Sequence, residues 1–144
     1  MAKLRHLAIV VNDLEASATF YEKIFDMKRV LDVKEKAVYL SDGVMNLALL
    51  AYDNTNRAGA PTADRKHGIH HFGFRIQDFK ETEAALAAAG ATYAYDFGDP
   101  NSMNYERKWK DPEGILFDVS EKGWFGALDE AVEAKAQEKE PALS

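Results

Sequence analysis

His6-Leu7-Ala8-Ile9-Val10-Val11-Asn12-Asp13 and its echo His71-Phe72-Gly73-Phe74-Arg75-Ile76-Gln77-Asp78 decide how this chain folds. Each copy opens on a histidine, continues as an alternating run, and reaches an aspartate seven residues later. Alternation at period two marks a strand with two distinct faces, and an aspartate ahead of an apolar-periodic run marks a helix start. The repetition makes the chain a tandem duplication with imidazoles at equivalent points of its two halves. If the halves pair face to face the histidines meet, and two imidazoles are half of a metal site.

Working outward, residues 4–11 place Leu7, Ile9 and Val11 on one strand face and His6, Ala8 and Val10 on the other. Asp13 caps a helix over about 14–25, whose stripe Leu14, Ala18, Tyr21 and Phe25 is expected to dock on the first face. Asp26 ends it, a residue type that tolerates the left-handed conformation. Strands follow at about 28–33, 36–41 and 44–52, with Asp42-Gly43 as a hairpin signal. The polar run 53–66, with Gly59 and Pro61, joins the halves. In the second half His70, Phe72, Phe74 and Ile76 face a helix, and Ile69, His71, Gly73 and Arg75 face away. Asp78 with Glu81 resembles a capping box, Phe79, Thr82, Leu86 and Ala89 follow at helical spacing, and Gly90 stops the helix. Strands are expected near 91–96, 103–110 and 115–120, the last two joined by the turn Asp111-Pro112-Glu113-Gly114. The organisation is a βαβββ module over 1–52, a connector over 53–66, a second βαβββ module over 67–123, and a charged, helix-prone tail over 124–144.

The 144 residues suffice for one domain or for two small modules sharing a core, and a hydrophobic content of 47% is ordinary for a globular chain. With no cysteine, disulfides, thiolate nucleophiles and Cys-ligated zinc are excluded. The start of the chain does not read as a signal peptide, and no apolar run reaches membrane-spanning length. A cytoplasmic setting is the expectation. Net charge is −6, and residues 124–144 carry five acidic side chains against Lys135 and Lys139. With no basic stripe, nucleic acid is not an expected partner.

In the strand expected at 115–120, Ile115, Phe117 and Val119 alternate with Leu116, Asp118 and Ser120. Asp is depleted in strands, so Asp118 calls for a reason. His6, His71 and Asp118 all sit on the face turned away from the helices. If that face curves into a cup they converge, and two imidazoles with one carboxylate form a facial triad with open coordination positions. His70 competes with His71, but alternation turns it toward the helix. Arg75 shares the His71 face and is a candidate to pair with a substrate anion. Tyr39, Tyr93, Tyr95, Tyr105 and Trp109 fall on the walls of the expected cup, where a tyrosine hydroxyl could act as acid or base. Lys108 and Lys110 are expected in solvent.

Three stretches together resemble the vicinal oxygen chelate superfamily, the glyoxalase, bleomycin-resistance protein and extradiol dioxygenase group. They are Leu4 to Asp13 with Phe20-Tyr21, His71-Phe72-Gly73-Phe74, and Asp111-Pro112-Glu113-Gly114-Ile115-Leu116-Phe117-Asp118. The resemblance implies an α+β fold of two tandem βαβββ modules forming a cup-shaped, mostly antiparallel sheet with helices outside. It implies one divalent metal (Fe, Mn, Zn, Ni or Co) on His6, His71 and Asp118, where glutamate is the usual third residue. It also implies a small-molecule substrate that chelates through vicinal oxygens, and a homodimer. Members of glyoxalase type use a further ligand from the last strand of the first module. Here that strand offers Leu47 or Ala48, which cannot bind, and Asn46, a poor substitute. The open triad leans slightly to a dioxygenase, although the extradiol histidine is missing, Trp109 stands where its tyrosine would fall, and only Tyr105 or His70 could substitute. A lyase or isomerase of glyoxalase type is the alternative, and a non-catalytic, ligand-sequestering protein of bleomycin-resistance type is another. Tyr105 and Arg75 are the candidate catalytic residues.

Overall fold

The computed structural model describes residues 2–52 and 67–127. The connector expected at 53–66 and the tail beyond residue 127 lie outside them. The described chain runs β1 (Lys3–Val11), α1 (Leu14–Phe25), β2 (Lys28–Val33), β3 (Ala37–Ser41), β4 (Asn46–Ala51), β5 (Gly68–Arg75), α2 (Phe79–Ala88), β6 (Thr92–Phe97), β7 (Glu106–Lys110) and β8 (Leu116–Ser120). These strands form one 8-stranded sheet in the order β2-β3-β4-β1-β5-β8-β7-β6. The order reads the same from either edge, module by module. Within each half one pairing is parallel, β1 with β4 and β5 with β8, and the halves join through antiparallel β1 and β5. Both modules therefore share a sheet within a single chain. None of the described helices is long and apolar enough to cross a membrane.

The sheet is open but rolled. Tyr39 on β3 and Tyr95 and Phe97 on β6 line one cavity, although those strands stand six places apart in the sheet. In a flat sheet, at about 4.8 Å per strand, they would lie roughly 29 Å apart.

Local chemistry sets the helix starts as the sequence implies. The Asp13 carboxylate accepts from the Ala16 backbone N–H at 2.9 Å, and Asp78 accepts from that of Glu81 at 2.7 Å. Asp26 closes α1 in the left-handed conformation at φ 53°. Ile9, Val11, Leu14 and Tyr21 pack around buried Ala18, Val38, Leu40 and Leu49 on the helix side. Ala8, Val10, Ala37, Tyr39, Ala48 and Leu50 form a separate apolar cluster on the concave side. The helix stripe departs from expectation at Phe25, the last residue of α1, which is 61% exposed and packs against Phe20 and Tyr21. α2 buries no residue fully. Beneath it Phe72, Phe74, Ile76, Leu86, Phe117 and Val119 border an apolar space of about 680 Å³, measured with its open mouth.

Candidate metal centre

Strand pairing brings the site together. Ala8 lies opposite His71 and His6 opposite Gly73, so the two imidazoles point from neighbouring strands to the same side of the sheet. Gly73 is in register with Asp118, and Asp118 with Lys108. His6 Nε2 and His71 Nε2 are 3.2 Å apart. Asp118 Oδ2 lies 3.1 Å from His71 Nε2 and 3.7 Å from His6 Nε2, and Glu106 Oε1 lies 3.5 Å from His6 Nε2. All four residues are buried, with their donor atoms within 4.8 Å of one another. His6, His71 and Asp118 are thus in one place; Glu106 joins them from β7.

The surroundings fix how His6 presents its nitrogens. Asn46 Nδ2 donates to the Phe125 carbonyl at 3.1 Å, which leaves Asn46 Oδ1 facing His6 Nδ1 at 2.8 Å. An amide oxygen only accepts, so Nδ1 carries a proton and Nε2 is the nitrogen turned to the cluster. Asn46, unsuited as a ligand, instead orients one. Trp124 stacks on the other side of His6, with ring centroids 4.6 Å apart and planes 5° from parallel. Its Nε1 donates to Glu106 Oε1 at 2.7 Å. Trp124 reaches this position because residue 73 is glycine: a Cβ there would meet Trp124 Cη2 at 2.7 Å and Cζ2 at 2.8 Å. Trp124 is the first residue after the expected end of the second module.

Lys108, expected in solvent, is buried in the cluster. Its Nζ donates to Asp118 Oδ1 at 2.7 Å and to Glu106 Oε2 at 2.9 Å, and lies 3.3 Å from His71 Nε2. Burial pulls this ammonium toward deprotonation, but Asp118 and Glu106 together outweigh it and hold the group above the usual lysine range. Burial, reinforced by Lys108 and His6, holds His71 well below the usual imidazole range, so that ring is neutral.

Lys108 uses one oxygen of each carboxylate. The other Asp118 oxygen, Oδ2, is buried with no hydrogen-bond partner while facing both imidazoles. A buried carboxylate oxygen left unpaired is costly, and a cation answers it. Bonds of about 2.0–2.2 Å to imidazole nitrogen and carboxylate oxygen imply donor–donor edges of roughly 2.8–3.6 Å; the separations of 3.1, 3.2 and 3.5 Å fall in that range and that of 3.7 Å lies just beyond it. The residues present therefore fit a divalent metal, with two nitrogens and two oxygens as its candidate ligands.

A cavity of about 360 Å³, its mouth included, opens onto this cluster. Ala8, Tyr39, Ala48, Leu50, Tyr95 and Phe97 make its apolar wall. His70 also lines it, contrary to strict alternation. The β1–β5 pairing passes from Ala8 opposite His71 to Ile9 opposite Ile69, so His70 is the extra residue of a β-bulge. Such a bulge re-aims a side chain. His70 Nδ1 shares a 2.7 Å hydrogen bond with His71 Nδ1.

The two residues expected to be catalytic are not brought here. Tyr105 precedes β7, and its hydroxyl donates to Asp96 Oδ2 at 2.6 Å beside Phe79 and Arg107. Arg75 packs along Gly123, outside the cavity lining. Tyr93 and Trp109 meet edge to face at 5.7 Å, and Trp109 belongs to the helix-side core. Of the wall aromatics expected from the sequence, Tyr39 and Tyr95 line the cavity. Sequence reasoning missed Glu106, Lys108 and Trp124. A signal existed for the first two: the hairpin across Asp111–Gly114 sets Lys108 opposite Asp118, and parity then sends Glu106 to the same face.

The model of the Glyoxalase/Bleomycin resistance protein/Dioxygenase superfamily matches residues 3–119, and the chain belongs to that superfamily. No curated protein matches it in sequence. In structure it is similar to a methylmalonyl-CoA epimerase in complex with methylmalonyl-CoA and NH4+, at a TM-score of 0.67 and 19% identity, covering 90% of this chain and 99% of that one. It is also similar to a Streptomyces coelicolor methylmalonyl-CoA epimerase variant in complex with 2-nitronate-propionyl-CoA (TM-score 0.64, 22% identity, 81% and 94% covered). A third likeness is to the 2,3-dioxygenase LapB from Pseudomonas sp. KL28 (TM-score 0.61, 19% identity), where it covers 81% of this chain and 39% of that one. At these identities the likenesses establish the fold.

Proposed function

We propose that the chain is a divalent-metal-dependent enzyme acting on a small substrate through two adjacent oxygens, with a proton transfer of isomerase or lyase type as its reaction. The observation that carries this reading is the buried four-donor cluster in which Asp118 Oδ2 faces two imidazoles without a hydrogen-bond partner. His6, His71, Glu106 and Asp118 would hold the ion. Bound there, it would supply Lewis-acid polarisation of a substrate carbonyl. Glu106 is the reason for preferring proton transfer. An open site with three protein ligands would favour a dioxygenase, whereas Glu106 adds a fourth candidate ligand, a second carboxylate, from β7.

The remaining residues divide the work. Asn46 holds His6 in the tautomer that presents Nε2. Tyr39, Leu50, Tyr95 and Phe97 exclude water around the apolar part of the substrate. His70 is the imidazole at the cavity outside the donor set, and it takes the role of proton carrier in place of Tyr105. A positioned general base is worth about 10²–10⁴-fold in rate.

Dioxygenase chemistry with iron or manganese is the second reading, favoured by one contact. Trp124 Nε1 already occupies Glu106 Oε1 at 2.7 Å, and a Glu106 withheld in this way leaves the His6–His71–Asp118 triad. The homodimer and the cytoplasmic setting expected from the sequence belong to the same proposal, and sedimentation velocity decides the first.

The test joins metal content to exchange chemistry. Protein purified without added metal is analysed for bound ions and then assayed for α-deuterium incorporation into 2-oxoaldehyde thiol adducts and 2-methylmalonyl thioesters, with oxygen uptake on catechols run in parallel. One metal per chain, with deuterium incorporation that falls at least about 100-fold in His70→Ala, is the expected result. Oxygen uptake without exchange would move the assignment to the dioxygenase. A chain that holds no metal at saturating concentrations, yet binds flat ligands, would be a sequestering protein instead.

A further inference from the structure

We infer that Lys108 is a resident cation competing with the divalent ion for the same two carboxylates, so that the site is built to persist without metal and to take metal up against the ammonium. This rests on the metal reading above and adds a property to it.

The geometry divides each carboxylate in two. Lys108 Nζ holds Asp118 Oδ1 at 2.7 Å and Glu106 Oε2 at 2.9 Å, while Asp118 Oδ2 and Glu106 Oε1 are the oxygens turned toward the imidazoles. Two cations would therefore share one pair of anions in a buried space. The same Nζ is 3.3 Å from His71 Nε2, a candidate metal donor, so ammonium and ion would stand as close neighbours of like charge. Such repulsion is strong where water does not screen it.

Charge counting gives the consequence. With neutral imidazoles, Asp118, Glu106 and Lys108 leave the metal-free cluster one negative charge in excess, and a divalent ion would turn that into one positive charge. Without the lysine the same cluster would run from two negative charges to neutrality on loading. Lys108 thus stabilises the metal-free state and opposes the loaded one. The ammonium also has somewhere to go. Tyr95 and Phe97 present their rings 5.9 Å and 5.8 Å from Nζ on the cavity side, within cation–π range.

A lysine that merely holds the carboxylates in place would have the opposite effect, because its removal would splay the ligands and weaken metal binding. The sign of the change separates the two roles. Lys108→Met keeps the length and apolar stem and removes the charge, whereas Lys108→Arg keeps the charge. Mn2+ and Zn2+ affinities are measured by calorimetry and chelator competition on the full chain, with thermal midpoints with and without metal.

Lys108→Met should bind metal at least about tenfold more tightly than the parent, with a lower metal-free midpoint and a larger rise on loading, while Lys108→Arg does not gain affinity. Folding of Lys108→Met only when metal is supplied also supports the inference, since the ion then replaces the ammonium. If the parent binds metal and a folded Lys108→Met binds equally or less well, the competition is refuted and the metal reading stands. If neither protein binds metal, both fall. Should Lys108→Met fail to fold even with metal, the parent decides. The Lys108 ammonium ¹H–¹⁵N resonance should shift on adding one equivalent of Zn2+, and a resonance unmoved at saturation overturns the proposal.

Discussion

The two halves of the molecule repeat each other in backbone and diverge in chemistry. Ala48 lies opposite Tyr39 in the first half, as Asp118 lies opposite Lys108 in the second. Two residues earlier on the same strands stand Ala37 and Glu106. Ala37, Tyr39 and Ala48 thus occupy the places that Glu106, Lys108 and Asp118 hold in the other half, and only the histidine is kept in both. Duplication supplies the concave face twice, but a metal needs ligands once. The first half spends its copy on an apolar wall of Ala8, Val10, Ala37, Tyr39, Ala48 and Leu50, and the second concentrates the charges. An apolar wall opposite a charged one is what a small chelating substrate requires, since dry surroundings strengthen the electrostatics that act on it.

Substitutions at matched positions break or sharpen this contrast. The largest effect is expected at the pair Asp118 and Ala48. Asp118→Ala removes a proposed ligand and leaves Lys108 short of a buried partner, a loss of about 3–5 kcal/mol in metal-free stability together with the metal site. Ala48→Ser, at the mirrored place, should leave metal binding unchanged and cost only about 1–3 kcal/mol for the buried hydroxyl, and chemical denaturation with metal quantitation compares them. Next is Asn46→Ala, which frees the His6 ring and should weaken metal binding by about 10–100-fold without removing a ligand. If affinity is unchanged, the orienting role given to Asn46 is wrong.

A third contrast lies in pH. His71 is held below the ordinary imidazole range, so in acid the unfolded chain takes up a proton that the folded chain refuses. Metal-free stability should therefore be fully present above the unfolded value of about 6.5 and decline as pH falls below it, by up to about 1.4 kcal/mol per pH unit. His71→Asn should flatten that slope in urea titrations between pH 7 and 5. The smallest effect concerns the helices. α1 seats Ala18 fully buried, and Ala18→Leu should cost about 1–3 kcal/mol by overpacking. α2 stands over an apolar space that Thr82 borders, and Thr82→Val should be neutral or stabilising by up to about 1 kcal/mol. Equal penalties at both positions would show that the helices pack alike.

Much of this was legible from alternation and repetition alone. The faces of β1, the caps at Asp13 and Asp78, and the meeting of His6, His71 and Asp118 follow from period-two patterning and from the doubled phrase. What escaped did so for physical reasons. Glu106-Arg107-Lys108-Trp109-Lys110 has charges on both strand faces, so its composition does not say which face is buried; only the register across the Asp111–Gly114 turn does. His70 reaches the cavity because of a bulge, a backbone irregularity that no side-chain pattern announces. Trp124 sits beyond the last strand and reaches His6 only because Gly73 leaves room. Tyr105 and Arg75 have suitable chemistry, but strand alternation does not say that the Tyr105 hydroxyl turns to Asp96 or that Arg75 packs along Gly123, both outside the cavity lining.

A crystal of the protein loaded with cobalt, measured across the metal's absorption edge, would decide whether both halves grip one ion. A single anomalous peak among His6 Nε2, His71 Nε2 and Asp118 Oδ2 is the expected result. A peak elsewhere on the molecule, or none at saturating cobalt with the two imidazoles still in contact, would contradict it.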